Sequence, residues 1–458
     1  MTSALLTDLY QLTMVQGYFV RRRDPLVAFE LFFRRPPFGG SYALAAGAED
    51  AVDAIAALRF TTDELAYLHS LELFRDEFLA FLAEWRFRGA LHAVPEGTAV
   101  FPGEPLVRVT ARLTEAQLVE SMLLNVINFQ TLIATKAARI VQAAGGAPVL
   151  EFGLRRAQGR DGALSAARAA YIGGVQGTSN VAAGRRYGIP VGGTMAHSWI
   201  QSFAGEQEAF DRFAELYPER AILLVDTYDT LASGIPHAIP ALTRLQEQGH
   251  GGFGVRLDSG DLGPLSRAVR ARLDAAGLRQ ARIVASNDLD EARISELRAA
   301  GAPIDVWGVG TRLVTAYDDP ALGGVYKLVA VREGGIWQPT AKRSEEAGKA
   351  TLPGIKQVVR CVESCTATGD LLCCDDEGAA IASQAPDGER RRLLLAESIR
   401  DGRRVAPAEP LTAIRDRAAA SLARLPAATR ALVDPVPYPV RPTPALTAMQ
   451  RRTPARGA

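Results

Sequence analysis

Beginning near residue 148, short apolar runs alternate with amphipathic helical stretches, and this alternation limits the possible folds more sharply than anything else in the chain. The runs are 148–152, 221–226, 252–258, 282–286, 304–309 and 325–331, with helix-like stretches at 237–248, 264–276 and 288–300 between the later ones. The four starts from residue 221 to residue 304 fall about 22 to 31 residues apart, the length of a strand and its returning helix. Strands buried on both faces need helices over them, so the pattern predicts a β/α barrel or a doubly wound sheet. In either architecture ligands are met at the C-terminal ends of the strands. Here those ends are polar, charged or glycine-rich: Glu151 to Arg156, Asp226-Thr227-Tyr228-Asp229, Arg256 to Asp261, Ser286-Asn287-Asp288 and Gly308 to Thr311.

The first 145 residues follow a different pattern. Helical spacing is read at 4–19 and 61–88, a strand at 26–34, and short strands broken by Pro-Glu-Gly and Pro-Gly turns across 91–110. Thr114 with Gln117 forms the signature of a cap opening a long helix to about residue 144, ended by Gly145-Gly146. Beyond residue 331 short strands and turns return, and from about 432 a Pro- and Arg-rich segment is expected to trail along the surface.

Composition narrows the class of function. The 52 basic and 51 acidic side chains nearly cancel, which gives no support to nucleic-acid or membrane-surface binding. No apolar run approaches the roughly 18 residues of a spanning helix. The opening MTSALLTDLYQLTM lacks a basic stretch and carries Asp8, so it does not read as a secretory signal, and a cytoplasmic protein is expected. Cys361, Cys365, Cys373 and Cys374 lie close together, but Cys373 and Cys374 are adjacent in an apolar run and would point to opposite strand faces, which favours small buried or reactive thiols over a zinc site. The 47 arginines and five lysines reflect a strong bias, so Lys136, Lys327, Lys342, Lys349 and Lys356 mark positions where a compact ammonium has been kept.

Several strand ends carry chemistry. Gly308-Val309-Gly310-Thr311 suits a phosphate, because glycines admit close approach to backbone N–H groups and Thr311 adds a hydroxyl; a tight turn is the plain alternative. Arg256-Leu257-Asp258-Ser259-Gly260-Asp261 sets two acids around a Ser-Gly turn after an arginine, suited to ribose hydroxyls, Mg²⁺ or an anion, or else to capping the next helix. Of the five histidines only His197 lies in a turn with glycines, Thr194 and Ser198, where a neutral imidazole can act as a base or accept a phosphoryl group. Arg155 and Arg156 directly follow a strand and point to an anionic substrate, with Phe152 and Tyr10 as stacking surfaces for a flat ring.

Taken in order, TDLYQLTM (7–14), AVPEGTAVFPGEPLVRV (93–109), NFQTLIATKAARI (128–140), EFGLRRAQGRDGALSAARAAYIGG (151–174), GTSNVAAGRRYGIPVGGTMAHSW (177–199), RLDSGDL (256–262), GVGT (308–311) and KRS…GKATLPGIKQVVR (342–360) resemble nicotinate phosphoribosyltransferase. The resemblance implies an α/β protein with an irregular β/α barrel and a second α/β domain built from the N-terminal and C-terminal segments. The corresponding bounds are 1–145 for the N-terminal domain, 146–330 for the catalytic barrel, 331–432 for the segment returning to the N-terminal domain, and 433–458 for the tail. It also implies a homodimer with shared active sites.

The implied reaction is the first step of NAD salvage from nicotinate. Nicotinate, 5-phosphoribosyl pyrophosphate, ATP and water give nicotinate mononucleotide, pyrophosphate, ADP and phosphate, with Mg²⁺ carried by the phosphorylated substrates. His197 matches the transiently phosphorylated histidine. Tyr10 matches a stacking residue reaching in from the partner subunit, with Phe152 on the other ring face. Arg155, Thr194 and Arg256 match positions around nicotinate, Asp258 a position near the ribose, and Gly310 and Thr311 the 5-phosphate cradle beside Gly308. Ser198 and Asp261 fall within the same matching stretches. Lys342, Lys349 and Lys356 are expected on a mobile loop facing the leaving pyrophosphate.

Nicotinamide phosphoribosyltransferase, a related family, carries an acid where Ser179 stands; its absence here favours a carboxylate substrate. Quinolinate phosphoribosyltransferase is shorter and lacks both the opening motif and the His197 stretch. Arg160 departs from the pattern, standing where proline is common. A barrel that binds phosphorylated metabolites without turnover would keep Gly310 and Thr311 but lack His197 or the acids, and all of these are present.

Overall fold

The computed structural model describes residues 3–341 and 351–453. Lys342 and Lys349 lie outside the described residues. The chain divides into two compact units, Lys136–Pro320 and the combination of Met1–Thr135 with Ala321–Ala458, and the division falls inside the helix Glu120–Ala144.

The Lys136–Pro320 unit carries the expected parallel sheet. Its strands are β1 (Val149–Glu151), β2 (Gly177–Thr178), β3 (Ile222–Leu224), β4 (Gly254–Leu257), β5 (Arg282–Ala285) and β6 (Val306–Val309). They pair in the order β2-β1-β6-β5-β4-β3, every pair parallel. The order is cyclic: the first strand lies between the second and the last. An isolated bridge from Thr178 to Val191 extends the ladder past β2. Leu223, Leu224, Val255, Leu257, Ile283, Trp307 and Val309 are all buried, as strands covered on both faces require. Helices Ile235–Glu247, Leu262–Ala275 and Glu291–Ala299 follow β3, β4 and β5 in turn.

The other unit is mixed. Leu26–Phe33 lies between Val107–Arg112 and Gly324–Glu333, antiparallel to both, within a seven-stranded sheet. The run 325–331, read in sequence with the parallel strands, therefore belongs to this antiparallel sheet. An apolar run reveals burial but not the direction of its partner. The stretch 61–88 resolves into two helices, Thr62–Ser70, opened by a capping box from Thr61 and Glu64, and Asp76–Glu84. Thr114 does not cap a helix: it lies inside the short helix Leu113–Leu118 and its N–H and hydroxyl both donate to Asp24. Gly145 and Gly146 do end the long helix, both with positive φ (59° and 96°) that side chains disfavour.

The segment after residue 432 is built in rather than trailing. Val440–Pro442 pairs in parallel with Thr366–Cys374, Leu446 is fully buried, and the Tyr438 ring stacks 3.8 Å from that of Phe101. Pro442 sits in an edge strand, which loses little by lacking an N–H, while Tyr438 and Leu446 anchor the segment. Lys356 also departs from expectation. It begins the strand Lys356–Glu363, is 3% exposed, and its ammonium meets Glu30 at 2.8 Å and the carbonyls of Leu352 and Gly354. Cys361, Cys373 and Cys374 are buried in the hairpin it starts, and burial pushes their thiols up to about 11, 12 and 11. No helix among the described residues is long and apolar enough to cross a membrane.

Lys136, one of the five retained lysines, is fully buried between Glu291 (2.6 Å) and Asp318 (2.5 Å), and Arg139 adds a bond to Glu291 at 2.8 Å. Burial alone would raise the Glu291 carboxyl, but Lys136 and Arg139 outweigh it and hold it below its ordinary value. This contribution to stability is complete above the unfolded-state pKa of Glu291 and is lost as pH falls through the lower folded value. Lys136→Met leaves Arg139 as the one remaining cation on the buried Glu291 and is expected to cost about 3 kcal/mol. Urea unfolding at neutral pH measures this, and the deficit should shrink as the pH is lowered.

Candidate active site

The strand ends bring four of the predicted residues, Phe152, Thr194, Asp258 and His197, together near the guanidinium of a fifth, Arg256. Arg256, on β4, donates from Nε to Ser286 Oγ (2.9 Å), from one terminal nitrogen to Thr194 Oγ1 (3.0 Å), and from the other to Asp258 Oδ1 (2.9 Å). Its guanidinium carbon lies 5.7 Å from the centre of the Phe152 ring. Ser286, after β5, completes a triangle by donating to Asp258 Oδ1 at 2.5 Å. A planar fork makes these bonds simultaneously; an ammonium does not.

Asp226 and Thr227, at the end of β3, support the cluster. Asp226 Oδ2 accepts the Asp258 N–H (2.8 Å) and the Ser259 hydroxyl (2.6 Å). Its other oxygen is buried and has no hydrogen-bond partner among the described residues. Thr227 Oγ1 lies 3.1 Å from His197 Nδ1, and His197 Nε2 is 3.9 Å from Asp258 Oδ2. The imidazole is 42% exposed, so it is open to a reactant rather than sealed in apolar packing. His197 opens the short helix His197–Gln201, which is pinned by buried Ile200 and by Trp199, whose Nε1 donates to Ala209 O at 3.0 Å. Ser198 is exposed beside it.

Phe152 is placed by what lacks a side chain. A Cβ on Gly308 would come within 2.6 Å of its ring, and one on Gly310 within 3.1 Å of its carbonyl oxygen. Neither glycine has a positive φ, so close approach is what each position requires. Gly310 precedes the short helix Thr311–Val314, with Thr311 half-buried. Arg155 and Arg156 are exposed on the turn Leu154–Arg156, and Arg160 is exposed as well. Ser179 is partly buried after β2, its N–H bonded to the Glu151 carbonyl at 2.9 Å. Burial raises the Glu151 carboxyl against hydrogen bonds from Thr178 and Gly153 that favour its charged form.

Asp261 takes its capping alternative: it accepts the Gly263 N–H at the start of helix Leu262–Ala275 and pairs with Arg293 at 3.3 Å. Tyr10 belongs to the other unit, on helix Leu9–Val20. It is 48% exposed, and its hydroxyl lies 3.4 Å from Glu120. Partial burial and that carboxylate raise its pKa. Lys356 is engaged as described above. Asp226, Thr227, Ser286, Glu151 and Thr178 were not singled out in the sequence. Four of them sit in polar strand ends that were visible there, and Thr178 lies in a two-residue strand too short for its period to show.

The fold and this cluster define an α/β protein with a polar cluster at the C-terminal ends of parallel strands, the place where folds of this class bind ligands. Residues 5–128 match the nicotinate phosphoribosyltransferase N-terminal domain model, 148–363 the nicotinate phosphoribosyltransferase family model, and 355–450 the C-terminal domain model. A Mycobacterium tuberculosis nicotinate phosphoribosyltransferase, pncB2, is 47% identical over 95% of this chain and 91% of its own length. A nicotinate phosphoribosyltransferase of Bacillus subtilis is 47% identical over 85% of this chain and 79% of its own. The crystal structure of human nicotinic acid phosphoribosyltransferase superposes with a TM-score of 0.82 at 34% identity, covering 97% of this chain and 98% of that one. The chain belongs to the nicotinate phosphoribosyltransferase family and is an enzyme of that type.

If Thr227 holds the His197 ring, Thr227→Val should change the ¹⁵N chemical shifts of the His197 ring nitrogens at neutral pH. Spectra superimposable on the wild type would show that the hydroxyl does not orient it.

Proposed function

We propose that this enzyme joins nicotinate to 5-phosphoribosyl pyrophosphate, supplied as its Mg²⁺ complex, to give nicotinate mononucleotide and pyrophosphate. It couples this to ATP hydrolysis through a phosphohistidine at His197, and works as a cytoplasmic homodimer at the first step of NAD salvage from nicotinate. The observation that carries the reading is the Arg256 cluster, in which Phe152, Thr194, Asp258 and, beside Asp258, an exposed imidazole meet at the strand tips.

In this reading the nicotinate ring lies against Phe152, and its carboxylate is met by Arg155 and Arg256. The ring nitrogen attacks the anomeric carbon as the bond to pyrophosphate breaks. Positive charge builds on the ribose in that step, and Asp258, fixed by Arg256, Ser286 and the bond from its own N–H to Asp226, is a pre-oriented carboxylate to stabilise it. Gly308, Gly310 and Thr311 receive the 5-phosphate. Phosphoryl transfer from ATP to His197 supplies the coupling, with Thr227 holding the ring's Nδ1 side. An acid at position 179 would repel the substrate carboxylate, and Ser179 does not.

Two finer points belong to the same reading. The cyclic strand order, the bridge beyond β2 and the bond from Arg256 to Thr194 support closure of the six strands into an irregular barrel. The exposed row Leu6, Leu9, Tyr10 and Met14 supports association through this face, with Tyr10 serving a partner's site.

Incubation with nicotinate, phosphoribosyl pyrophosphate, Mg²⁺ and ATP should release pyrophosphate; a folded protein that forms no nicotinate mononucleotide would sink the proposal. His197→Ala should abolish phosphoenzyme formation and the stimulation by ATP, checked with γ-labelled ATP. Ser179→Asp should lower kcat/KM for nicotinate by about tenfold or more through like-charge repulsion, measured against the wild type in the same assay.

A further inference from the structure

We propose that Glu151 is the positioning residue of the nicotinate-ring pocket, its buried carboxylate tying the Phe152–Gly153 turn to the Ser179–Asn180 turn. The inference rests on the nicotinate reading given above.

Glu151 ends β1 at 1% exposure, and no Lys, Arg or His pairs with it among the described residues. A lone buried carboxylate is costly, and elsewhere in this unit the comparably buried acid Glu291 has cations to offset it. At Glu151 the charge is stabilised by hydrogen bonds alone. One carboxylate oxygen accepts the Gly153 N–H, curling the chain directly after the strand. The other accepts the Thr178 hydroxyl at 2.5 Å. Thr178 Oγ1 in turn accepts the Asn180 N–H at 2.9 Å, while the Glu151 carbonyl accepts the Ser179 N–H at 2.9 Å. Ser179 is thereby held on both sides by groups that lead back to Glu151. Phe152 is held by the same residue, because the Gly153 bond closes the turn that lays its ring on Gly308.

Both turns flank the place assigned to the ring, and the carboxylate itself is buried behind them. A carboxylate offers an acceptor to each turn, whereas glutamine keeps one for the Gly153 N–H and meets Thr178 with a donor, so the Thr178 hydroxyl must reverse and its bond loses the negative charge. The signature of this role is a change in ring recognition with phosphoribosyl pyrophosphate binding left in place.

Thr178→Val removes the link between Glu151 and Asn180 at nearly constant volume, Glu151→Gln weakens it at its origin, and Thr178→Ser restores the hydroxyl. In full-length protein whose melting temperature shows it folded, Thr178→Val should raise KM for nicotinate about tenfold, with KM for phosphoribosyl pyrophosphate within about twofold. Glu151→Gln should move the same way and Thr178→Ser should return toward wild type; Glu151→Gln carries the test if Thr178→Val does not fold. A nicotinate KM that stays within twofold, or two KM values that rise together, overturns this inference while wild-type turnover upholds the activity. Wild-type protein that does not use nicotinate overturns both.

Discussion

One guanidinium organises the site. Arg256 bonds a serine from the neighbouring strand β5, a threonine from the segment beyond β2 and an aspartate two residues along its own chain, with an aromatic face from β1 close by. Parallel strands make this possible because all their C-terminal ends emerge on one side, so residues far apart in sequence arrive within a few ångströms. The arrangement also commits Asp258 to one geometry: one oxygen is occupied by Arg256 and Ser286, and the other faces His197.

The same unit handles buried charge in two ways. Around Lys136, acids and bases are paired, which makes the loss of any one member costly. At Glu151 the negative charge is balanced by N–H and O–H donors from the turns themselves. The first arrangement braces a helix; the second ties two turns to one strand end. Glycine contributes in a third way, since Phe152 reaches its place only because Gly308 has no side chain.

Much of this was legible before any coordinates. Five of the six apolar runs are parallel strands at the expected positions, and His197, Arg256, Asp258, Thr194 and Phe152 do converge. What escaped the sequence has physical reasons. Thr227, Ser286 and Asp226 are ordinary residues until a neighbour across the strand tips gives them a partner. Thr114 carries a capping signature, but Asp24, ninety residues away, claims its hydroxyl. Lys356 reads as a solvated loop cation, yet Glu30 draws it into the sheet.

Local order follows from adjacent residues: which stretches are apolar enough to be buried strands, where glycines end a helix or admit a close approach, and which reactive residue types stand at strand ends. Those properties depend on a few adjacent residues and survive reading in one dimension. The folded molecule settled strand pairing, sending 325–331 to an antiparallel sheet and anchoring the proline-rich end through Tyr438. It likewise decided which polar groups share a proton or a charge, because those energies depend on through-space distances that chain separation does not encode.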